Sequence, residues 1–382
     1  MSGHCGEEQR QLRDLIRRVA AERVAPRAAE IDRTAEYPQD MFELLRSLGL
    51  FALPFPPAYG GSGSFLLAAI ALEEFGRVCY NTAYLLLLQW APFGAILAGG
   101  DAGQQARFLP ALAAGALRGA IALTEPQGGS DVAGIRTRAV RCPGGYRLFG
   151  AKAWCTGAPL ADFIVVAARI ERGPLALFIV ERGAPGLAIG RPEDKLGARG
   201  IPSCPLFLDD LFVPQENRVG PEESGFRTVM EALNQARPLI GARGVGLAQG
   251  AMELAIAFIK ERRAFGRRIG DFQGVRWTIA DMAIQVAAAH HLVYRAAQAV
   301  DDGVTGKELA SLAAIAKCHA TDTAMRVATE AVQLFGAAGI SNAVPINRYF
   351  RDAKVLQIVE GTNQIQRNLI ARILLGPEER DR

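Results

Sequence analysis

The chain has 382 residues, of which 50% are hydrophobic and 21% are charged, and 43 basic side chains face 39 acidic ones. This near-balance argues against a nucleic-acid or membrane-surface protein, and the length allows two or three packed units. The six cysteines form no CxxC pair, which favours reduced thiols in a cytoplasmic protein over a disulfide framework or a metal site.

The N-terminus predicts an amphipathic helix rather than a secretory signal, because Leu12, Ile16 and Val19 recur at helical spacing among charges. No apolar run reaches the roughly 18 to 20 uninterrupted residues that a membrane span requires. The richest run, 83–98, is interrupted by polar, proline and glycine residues. We therefore expect a soluble protein without a membrane partner.

The hydrophobic period divides the chain into three expected domains. Residues 1–117 read as an all-α domain, 118–222 as a β-domain with alternating runs, and 223–382 as a helical bundle. The predicted fold class is therefore mainly α with a middle β-domain: an N-terminal helical domain, a central β-barrel or sandwich and a C-terminal four-helix bundle. The long helices are predicted at 226–260, with a kink at Pro238, and at 272–300, 307–335 and 362–375.

A strand that runs into a turn rich in hydroxyl groups and glycine spans residues 122–131, ALTEPQGGSD. The glycines let backbone N–H groups approach a flat or anionic ligand, and Thr124 and Ser130 supply directional hydrogen bonds. A polar loop with a capping serine explains the same residues, since a glycine-rich loop alone is weak evidence for a ligand site.

Residues 152–157, KAWCTG, end a predicted strand of the same domain. Trp154 and Thr156 are two positions apart, so both side chains should lie on one face, suited to stacking on a flat ring and bonding its polar edge. A strand tryptophan taken by itself is more often part of the core.

Two further segments lie in the predicted bundle. Residues 262–268, RRAFGRR, followed by Gln273, could bind phosphate, although a charge run after a helix is most often a solvated face. Residues 333–339, QLFGAAG, end a helix in small residues that cap it or admit a ligand close to the backbone.

The fifth segment contains Glu360, just ahead of a helix for which Thr362 is the expected N-cap. An acidic residue at that place commonly serves only the helix dipole. Glu360 is nevertheless flanked by Ile358, Val359 and Gly361, a setting that can desolvate the carboxylate and raise its pKa toward the range of a general base.

In this order, the five segments resemble the acyl-CoA dehydrogenase family over nearly the whole chain. The matching pieces are the TEPxxGSD turn, the KxWxT strand, the RxxFG…Q segment, the QxFGxxG helix end and the EGTxQIQR terminus. The resemblance implies an FAD enzyme of fatty acid metabolism that is a homotetramer (dimer of dimers) or homodimer and passes electrons to electron-transfer flavoprotein.

The resemblance also implies roles for individual residues. The flavin ring would be held by Leu123, Thr124, Gly129, Ser130, Trp154 and Thr156. The pyrophosphate and adenosine would be held, across a subunit interface, by Arg262, Phe265, Gln273, Gln333, Gly336 and Ala337, with Thr362 and Gln364 completing that site. The positions that contact the acyl-CoA substrate would be Ser130, Asn234, Arg237 and Gly361.

The implied reaction is α,β-dehydrogenation of an acyl-CoA thioester to the trans-2-enoyl thioester, with Glu360 removing the α-proton while the β-hydrogen leaves as hydride to the flavin. Enolate stabilisation would come from the Glu360 backbone N–H and a ribityl hydroxyl, following oxyanion-hole logic. Some relatives place the base on the bundle helix, where this chain has Ala236. Val359 replaces a frequent tyrosine, which suggests a wider pocket and a short or branched acyl chain.

Three alternatives share parts of this pattern. A dehydrogenase of a carrier-protein-bound acyl thioester needs no adenine-nucleotide site, and Asn234, standing where an aspartate is frequent, keeps that alternative open. An acyl-CoA oxidase would use the same residues but usually has a longer chain. A flavin-free scaffold protein would retain only the fold.

Overall fold

A computed structural model describes residues 6–376, whose helices and strands fall into three consecutive blocks. The first block is helical: α1 (Glu7–Val19), α2 (Ala28–Thr34), α3 (Gln39–Ser47), α4 (Phe65–Gly76), α5 (Tyr80–Gly99) and α6 (Ala102–Ala113). The second holds β1 (Gly119–Ala122), β2 (Arg138–Cys142), β3 (Gly145–Thr156), β4 (Phe163–Ile170), β5 (Leu175–Glu181), β6 (Leu187–Ile189), β7 (Ser203–Pro214) and β8 (Arg218–Val219).

The third block contains α7 (Gly225–Glu261), β9 (Arg263–Ala264), β10 (Arg267–Arg268), α8 (Gln273–Asp301), α9 (Gly306–Phe335), α10 (Ile346–Leu356) and α11 (Asn363–Leu375). The order of a helical domain, a β-domain and a helical bundle confirms the predicted fold class. The four long helices begin and end within one residue of their predicted bounds, whereas α10 was not predicted. Helix α7 continues through Pro238 without a break.

Local capping fixes several helix starts in the first block. The Ser64 hydroxyl accepts a hydrogen bond from the Leu67 N–H at 3.1 Å and begins α4. Asp101 and Gln104 form a capping box at the start of α6, with the Asp101 carboxylate 2.8 Å from the Gln104 N–H. Helices α4 and α5, which carry much of the core, pack on α7.

The middle block is one eight-stranded sheet with the hydrogen-bonded order β6-β7-β3-β2-β4-β5-β8, while β1 pairs in parallel with β4. The β3–β7 pairing shifts register between Lys152 and Cys155, so β3 carries one extra residue there. The bulge lies beside Trp154 and changes the direction of the strand where a ligand-facing side chain is predicted.

Helix α7 connects the blocks, because it packs on α4 and α5 as well as on α8 and α9. Glycine is needed at the crossing with α4: a Cβ on Gly246 would lie 2.0 Å from the Glu73 carbonyl oxygen. A Cβ on Gly250 would lie 2.0 Å from the Arg77 carbonyl oxygen. The two glycines therefore bring the backbones together and place the central part of α7 inside the protein.

Two stretches, Tyr80–Gly99 and Glu222–Glu261, are long and apolar enough to cross a membrane by length and composition. Their most apolar windows are 72% and 67% buried inside the protein, as in core helices of a folded domain. The prediction that no apolar run is long enough overlooked this, because it counted only uninterrupted runs. On this measure alone, such helices are weak evidence for a membrane span.

Cys79, Cys142, Cys155, Cys204 and Cys318 are free thiols, and Cys5 lies outside the described residues. Within residues 6–376, no group of three or more His, Cys, Asp or Glu side chains is arranged to hold a metal ion.

Candidate active site

A cleft lies between α5, β1 and α7, and its empty space of about 600 Å³ includes open solvent. Its walls are almost entirely apolar, and Glu360 is the only charged residue among the described residues that line it. The lining residues are Pro54, Phe65, Leu87, Trp90, Ala91, Phe93, Gly94, Ile121, Leu123, Val229, Ala232, Leu233, Gln235, Ala236, Leu239 and Glu360.

Trp90 and Phe93 serve both the cleft and the core. The indole N–H of Trp90 donates to the Phe51 carbonyl oxygen at 2.7 Å, and Phe93 packs on Phe55 with ring centroids 4.1 Å apart. Both residues therefore line the cleft and form part of the core. Val359 does not line the cleft, so its replacement of a tyrosine does not widen this space directly.

Glu360 lies in a sharp reversal of the chain between α10 and α11. Its φ is 55° and that of Gly361 is 87°, so two consecutive residues adopt left-handed backbone. A non-glycine residue in that region is strained, by about 1–3 kcal/mol, and such strain gathers at functional sites. Thr362 then caps α11 by accepting from the Ile365 N–H at 3.3 Å, as predicted.

Burial raises the pKa of the Glu360 carboxyl, while the cations of Arg243, Lys317 and Arg237 pull it back down. A raised carboxyl pKa is what a general base at neutral pH requires, because a stronger base removes a carbon-bound proton more readily. No Lys, Arg or His nitrogen of the described chain lies within 4.0 Å of this carboxylate. The side chain is thus held in the electric field of three cations without being neutralised by a direct ion pair.

Lys317 fixes the reversal that carries Glu360. Its ammonium is fully buried and donates to the Gly361 carbonyl oxygen and to Asn363 Oδ1, both at 2.9 Å. Gln366 donates to the same Gly361 oxygen at 3.0 Å. Because the carbonyl belongs to the residue after the base, these bonds set the direction of the Glu360 side chain.

Arg237 lies beside the same reversal. A Cβ built on Gly361 would be 4.0 Å from Arg237 Nη2, and Arg237 Nη1 donates to Asn234 Oδ1 at 2.5 Å. Its buried Nε has no hydrogen-bond partner among the described residues. Burial lowers the pKa of Arg237 to about 10, against the opposing charge of Glu360. The structure thus brings together Asn234, Arg237 and Gly361, three of the predicted substrate positions.

The turn after β1 is held to β3 by a buried ion pair between Glu125 and Lys152. Glu125 Oε1 accepts from Lys152 Nζ at 2.7 Å and from the Thr137 hydroxyl at 2.5 Å. Burial would raise the pKa of Glu125, but these hydrogen bonds and the one from the Arg136 N–H outweigh it and lower the pKa to about 2. The ion pair fixes the turn to β3, which carries the tryptophan.

Trp154 leaves the regular strand at the bulge. Its φ is 58° and its ring is 55% exposed, while the next residue, Cys155, is buried. Thr156 is half-buried, and its hydroxyl lies 3.1 Å from the Ser203 hydroxyl. The bulge interrupts the simple strand alternation on which the shared face of Trp154 and Thr156 was predicted, so that shared face stays a prediction. Of the other predicted flavin contacts, Leu123 lines the cleft, Thr124 is half-buried, and Gly129 and Ser130 are exposed.

A second group of predicted FAD contacts lies at the far end of the bundle. Phe258 on α7 stacks on Phe335 on α9 with centroids 4.2 Å apart, which brings these two helix ends together. Phe265 forms the tip of the β9–β10 hairpin and is 94% exposed. All six residues of the group face solvent: Arg262, Phe265, Gln273, Gln333, Gly336 and Ala337.

Comparisons with known proteins agree with this architecture along the chain. Sequence profiles of the acyl-CoA dehydrogenase N-terminal, middle and C-terminal domains match residues 6–116, 120–211 and 223–375. The chain belongs to the acyl-CoA dehydrogenase family. It is therefore an oxidoreductase of that family, with FAD as its cofactor.

Two curated relatives come from Geobacter metallireducens. A cyclohex-1-ene-1-carbonyl-CoA dehydrogenase is 41% identical over 98% of this chain and 100% of its own. A cyclohexane-1-carbonyl-CoA dehydrogenase is 40% identical over 97% and 98%.

Two solved structures superpose with TM-scores of 0.93. One is the butyryl-CoA dehydrogenase of Megasphaera elsdenii, at 34% identity and covering 98% of this chain and 100% of that one. The other is a chain from a study of the electron transferring flavoprotein of Acidaminococcus fermentans, at 36% identity and covering 99% and 100%.

The residues present in this acyl-CoA dehydrogenase fit FAD. An exposed tryptophan in strained backbone offers a face for a flat ring. The hydroxyls of Thr156, two residues further on, and of Thr124, whose carbonyl oxygen accepts from the Ala153 N–H at 2.9 Å, offer donors for the polar edge of that ring. At the bundle end, the Arg262 guanidinium and the amides of Gln273 and Gln333 are free to meet an anionic pyrophosphate. When bound, FAD supplies the hydride acceptor.

Sequence reasoning missed four charged residues of this dehydrogenase: Arg243, Lys317 and the Glu125–Lys152 pair. Each is buried. The sequence did contain a signal for Lys317. It is the only lysine in the mostly apolar run 313–320, AAIAKCHA, and a lysine is seldom buried among apolar residues unless it has a polar partner. Arg243 stands between Ala242 and Gly244 in an equally apolar stretch.

Proposed function

We propose that the protein catalyses FAD-dependent α,β-dehydrogenation of an acyl-CoA thioester to the trans-2-enoyl thioester, with Glu360 as the base that removes the α-proton. One observation carries this proposal: among the described residues, Glu360 is the single charged group that lines an almost entirely apolar cleft. An apolar wall suits an acyl chain, and an isolated carboxylate with a raised pKa suits proton abstraction.

The remaining assignments follow from this reaction. The Glu360 backbone N–H donates to no acceptor within residues 6–376, so it is available to the thioester carbonyl oxygen as charge develops there. Arg237 and Asn234, with Gly361 and Ser130, would contact the CoA portion of the substrate. The family's alternative position for a base holds Ala236, whose methyl group lines the cleft and cannot accept a proton.

FAD would be held by two separate groups of residues. Leu123, Thr124, Gly129, Ser130, Trp154 and Thr156 would hold the flavin ring. Arg262, Phe265, Gln273, Gln333, Gly336 and Ala337, with Thr362 and Gln364, would hold the pyrophosphate and adenosine from another subunit of a homodimer or homotetramer. Electron-transfer flavoprotein is the proposed acceptor, the cytoplasm the proposed location, and 117/118 and 222/223 the proposed domain boundaries.

For the acyl group we propose a compact chain, short or branched at the α-carbon. The bulk of Phe65, Trp90 and Phe93 limits the depth of the cleft. The relatives that act on cyclohexane-1-carbonyl-CoA and cyclohex-1-ene-1-carbonyl-CoA have six-membered rings, which are α-branched acyl groups of this size.

The deciding experiment is anaerobic mixing of the purified FAD-bound protein with acyl thioesters, followed by bleaching of the flavin absorbance. Glu360→Gln should keep FAD but abolish bleaching, because an amide does not accept the α-proton. Glu330→Gln, an exposed substitution on α9, is the matched control and should bleach normally. Retained bleaching in Glu360→Gln would refute the assignment of the base.

The same assay separates substrates. Cyclohexane-1-carbonyl-CoA and butyryl-CoA should bleach the flavin faster than a long straight-chain acyl-CoA. A carrier-bound acyl thioester that bleaches faster than its CoA counterpart would instead favour a carrier-protein dehydrogenase. A protein that takes up no FAD would exclude the redox reaction.

A further inference from the structure

Arg243 is among the largest fully buried side chains of the protein. None of its three guanidinium nitrogens has a hydrogen-bond partner among the described residues. Its guanidinium carbon lies 4.4 Å from the ring centroid of Tyr80 and 4.0 Å from that of Tyr84, so two aromatic faces of α5 support it. Cation–π contacts leave the N–H groups unsatisfied, and a buried cation with free donors calls for an anion nearby.

The position of Arg243 on α7 links it to the cleft. Ala232, Ala236 and Leu239 line the cleft at intervals of three and four residues. Arg243 follows Leu239 by four residues, so it lies on the same helix face roughly 6 Å further along the axis. Arg243 therefore stands immediately beyond the apolar wall, on the side of the protein interior.

The anion available there is the Glu360 carboxylate, which has no ion pair within the described chain. Its titratable and charged neighbours are Tyr80 and Tyr84 from α5, Arg237 and Arg243 from α7, and Lys317 from α9. Two of the three cations are already hydrogen-bonded, Arg237 to Asn234 and Lys317 to Gly361 and Asn363. Arg243 alone has its whole hydrogen-bonding capacity left.

We propose that Arg243 is a positioning residue for the base: the charge of its buried guanidinium, acting without a direct hydrogen bond, keeps the Glu360 side chain ionised. This inference rests on the proposed role of Glu360. Arg243 does not line the cleft and so acts through Glu360 rather than by touching the substrate.

The direction of the effect on pH follows from the charges. Burial raises the pKa of Glu360, and Arg243 is the largest of the opposing charges. A neutral residue at position 243 removes this opposition, so the Glu360 pKa rises further and less of the base is ionised at neutral pH. As the pH is lowered, the rate of flavin bleaching by the neutral variant should therefore begin to fall at a higher pH than in the wild type. Raising the pH should restore the rate.

The test is the pH profile of flavin bleaching for Arg243→Met, Arg243→Gln and Arg243→Lys in the FAD-bound protein. The acid limb is the part of the profile in which the bleaching rate falls as the pH is lowered. The two neutral variants should shift this limb to higher pH by about one unit, so that at a given acidic pH they react roughly tenfold more slowly than the wild type. Arg243→Lys keeps the charge and should restore most of the wild-type limb. Lys260→Gln, which removes an exposed cation from the same helix, should leave the limb unchanged.

Folding does not confound the test, because Arg243→Met fills the same buried space with an apolar side chain and removes three buried nitrogens that have no hydrogen-bond partner among the described residues. Arg243→Met should retain FAD and the wild-type Tm. An unmoved acid limb in Arg243→Met, or an equal shift in Arg243→Lys, would overturn the proposal. So would a loss confined to acyl thioesters that carry a second carboxylate, since Arg243 would then bind the substrate. If Glu360→Gln still bleaches the flavin, the assignment of Glu360 as the base is refuted. If Glu360→Gln does not bleach but the acid limb of Arg243→Met is unmoved, only the role of Arg243 is refuted.

Discussion

At the scale of single residues, the reversal at Glu360 depends on a lysine that has no place in the reaction itself. The Lys317 ammonium donates to Gly361 and Asn363, and Asn363 in turn donates to Thr321 Oγ1 at 2.9 Å. Burial lowers the pKa of Lys317 to about 8, against the opposing charge of Glu360, so the ammonium remains protonated at neutral pH. One residue that fixes the position of the base is thus supplied by α9, not by the segment that carries the base.

Replacing Lys317 by Met should therefore affect both stability and rate. The Gly361 carbonyl and Asn363 lose a buried donor, which should lower the free energy of unfolding by about 1–3 kcal/mol. The misdirected carboxylate should slow flavin bleaching by about tenfold to a hundredfold. Lys307→Met, at the exposed start of the same helix, should change neither quantity. Bleaching at the wild-type rate in Lys317→Met would show that the reversal holds itself in place.

Glu125 gives the molecule a specific sensitivity to acid. Its folded pKa of about 2 lies below the ordinary value of 4.5, so the unfolded chain binds more protons between these values. This stabilisation is complete above pH 4.5 and is lost as the pH falls through 2. Denaturant unfolding between pH 5 and pH 2 should follow this course, and Glu125→Gln should flatten it. Glu216→Gln, an exposed substitution in the same domain, should retain the wild-type slope.

At the scale of elements, periodicity predicted the four long helices to within one residue because their apolar residues recur at intervals of three and four, even in α11, whose buried residues are the polar Asn363 and Gln366. Helix α10 was not predicted, because it is short and its sequence, INRYFRDAKVL, is rich in charge. The face predicted to be shared by Trp154 and Thr156 was argued from simple strand alternation, and the bulge that interrupts this alternation arises from pairing with β7. Contacts of this kind, like that of Lys317 with Gly361 across 44 residues, depend on packing that no local pattern contains.

The cleft between α5 and α7 allows a test of chain-length selection. Leu233 lines the cleft from α7 and is only half-buried, so Leu233→Phe can fill space without creating a cavity. We expect the longest acyl chain that bleaches the flavin to become shorter, while the rate with butyryl-CoA changes little. Leu254→Phe, on the same helix but outside the cleft, should keep the wild-type chain-length profile. An unchanged profile in Leu233→Phe would place the acyl chain elsewhere.

At the scale of the whole molecule, the two proposed FAD groups lie on different parts of one chain: the β-domain turn and the far end of the bundle. The six residues Arg262, Phe265, Gln273, Gln333, Gly336 and Ala337 of the second group are all exposed to solvent. Exposure of a large aromatic side chain such as Phe265 does not stabilise the fold of its own chain. An exposed ring at a hairpin tip, next to arginine and glutamine side chains, is typical of a surface that is completed by another molecule. This supports the proposal that a second subunit and the cofactor cover it.

Phe265→Ala therefore separates folding from assembly. Because the ring buries almost nothing within its own chain, the substitution should change the free energy of unfolding of the cofactor-free protein by no more than about 0.5 kcal/mol. FAD affinity should fall about tenfold or more, since a buried aromatic contact at an interface commonly contributes about 2 kcal/mol. Sedimentation of the same sample should show a larger fraction of dissociated subunits.

Phe226→Ala, another partly exposed aromatic on the C-terminal block but near the start of α7, is the matched control and should retain wild-type FAD affinity. Equal FAD affinity and equal mass for Phe265→Ala and wild type would mean that the hairpin tip remains in solvent and that the cofactor is held within one chain.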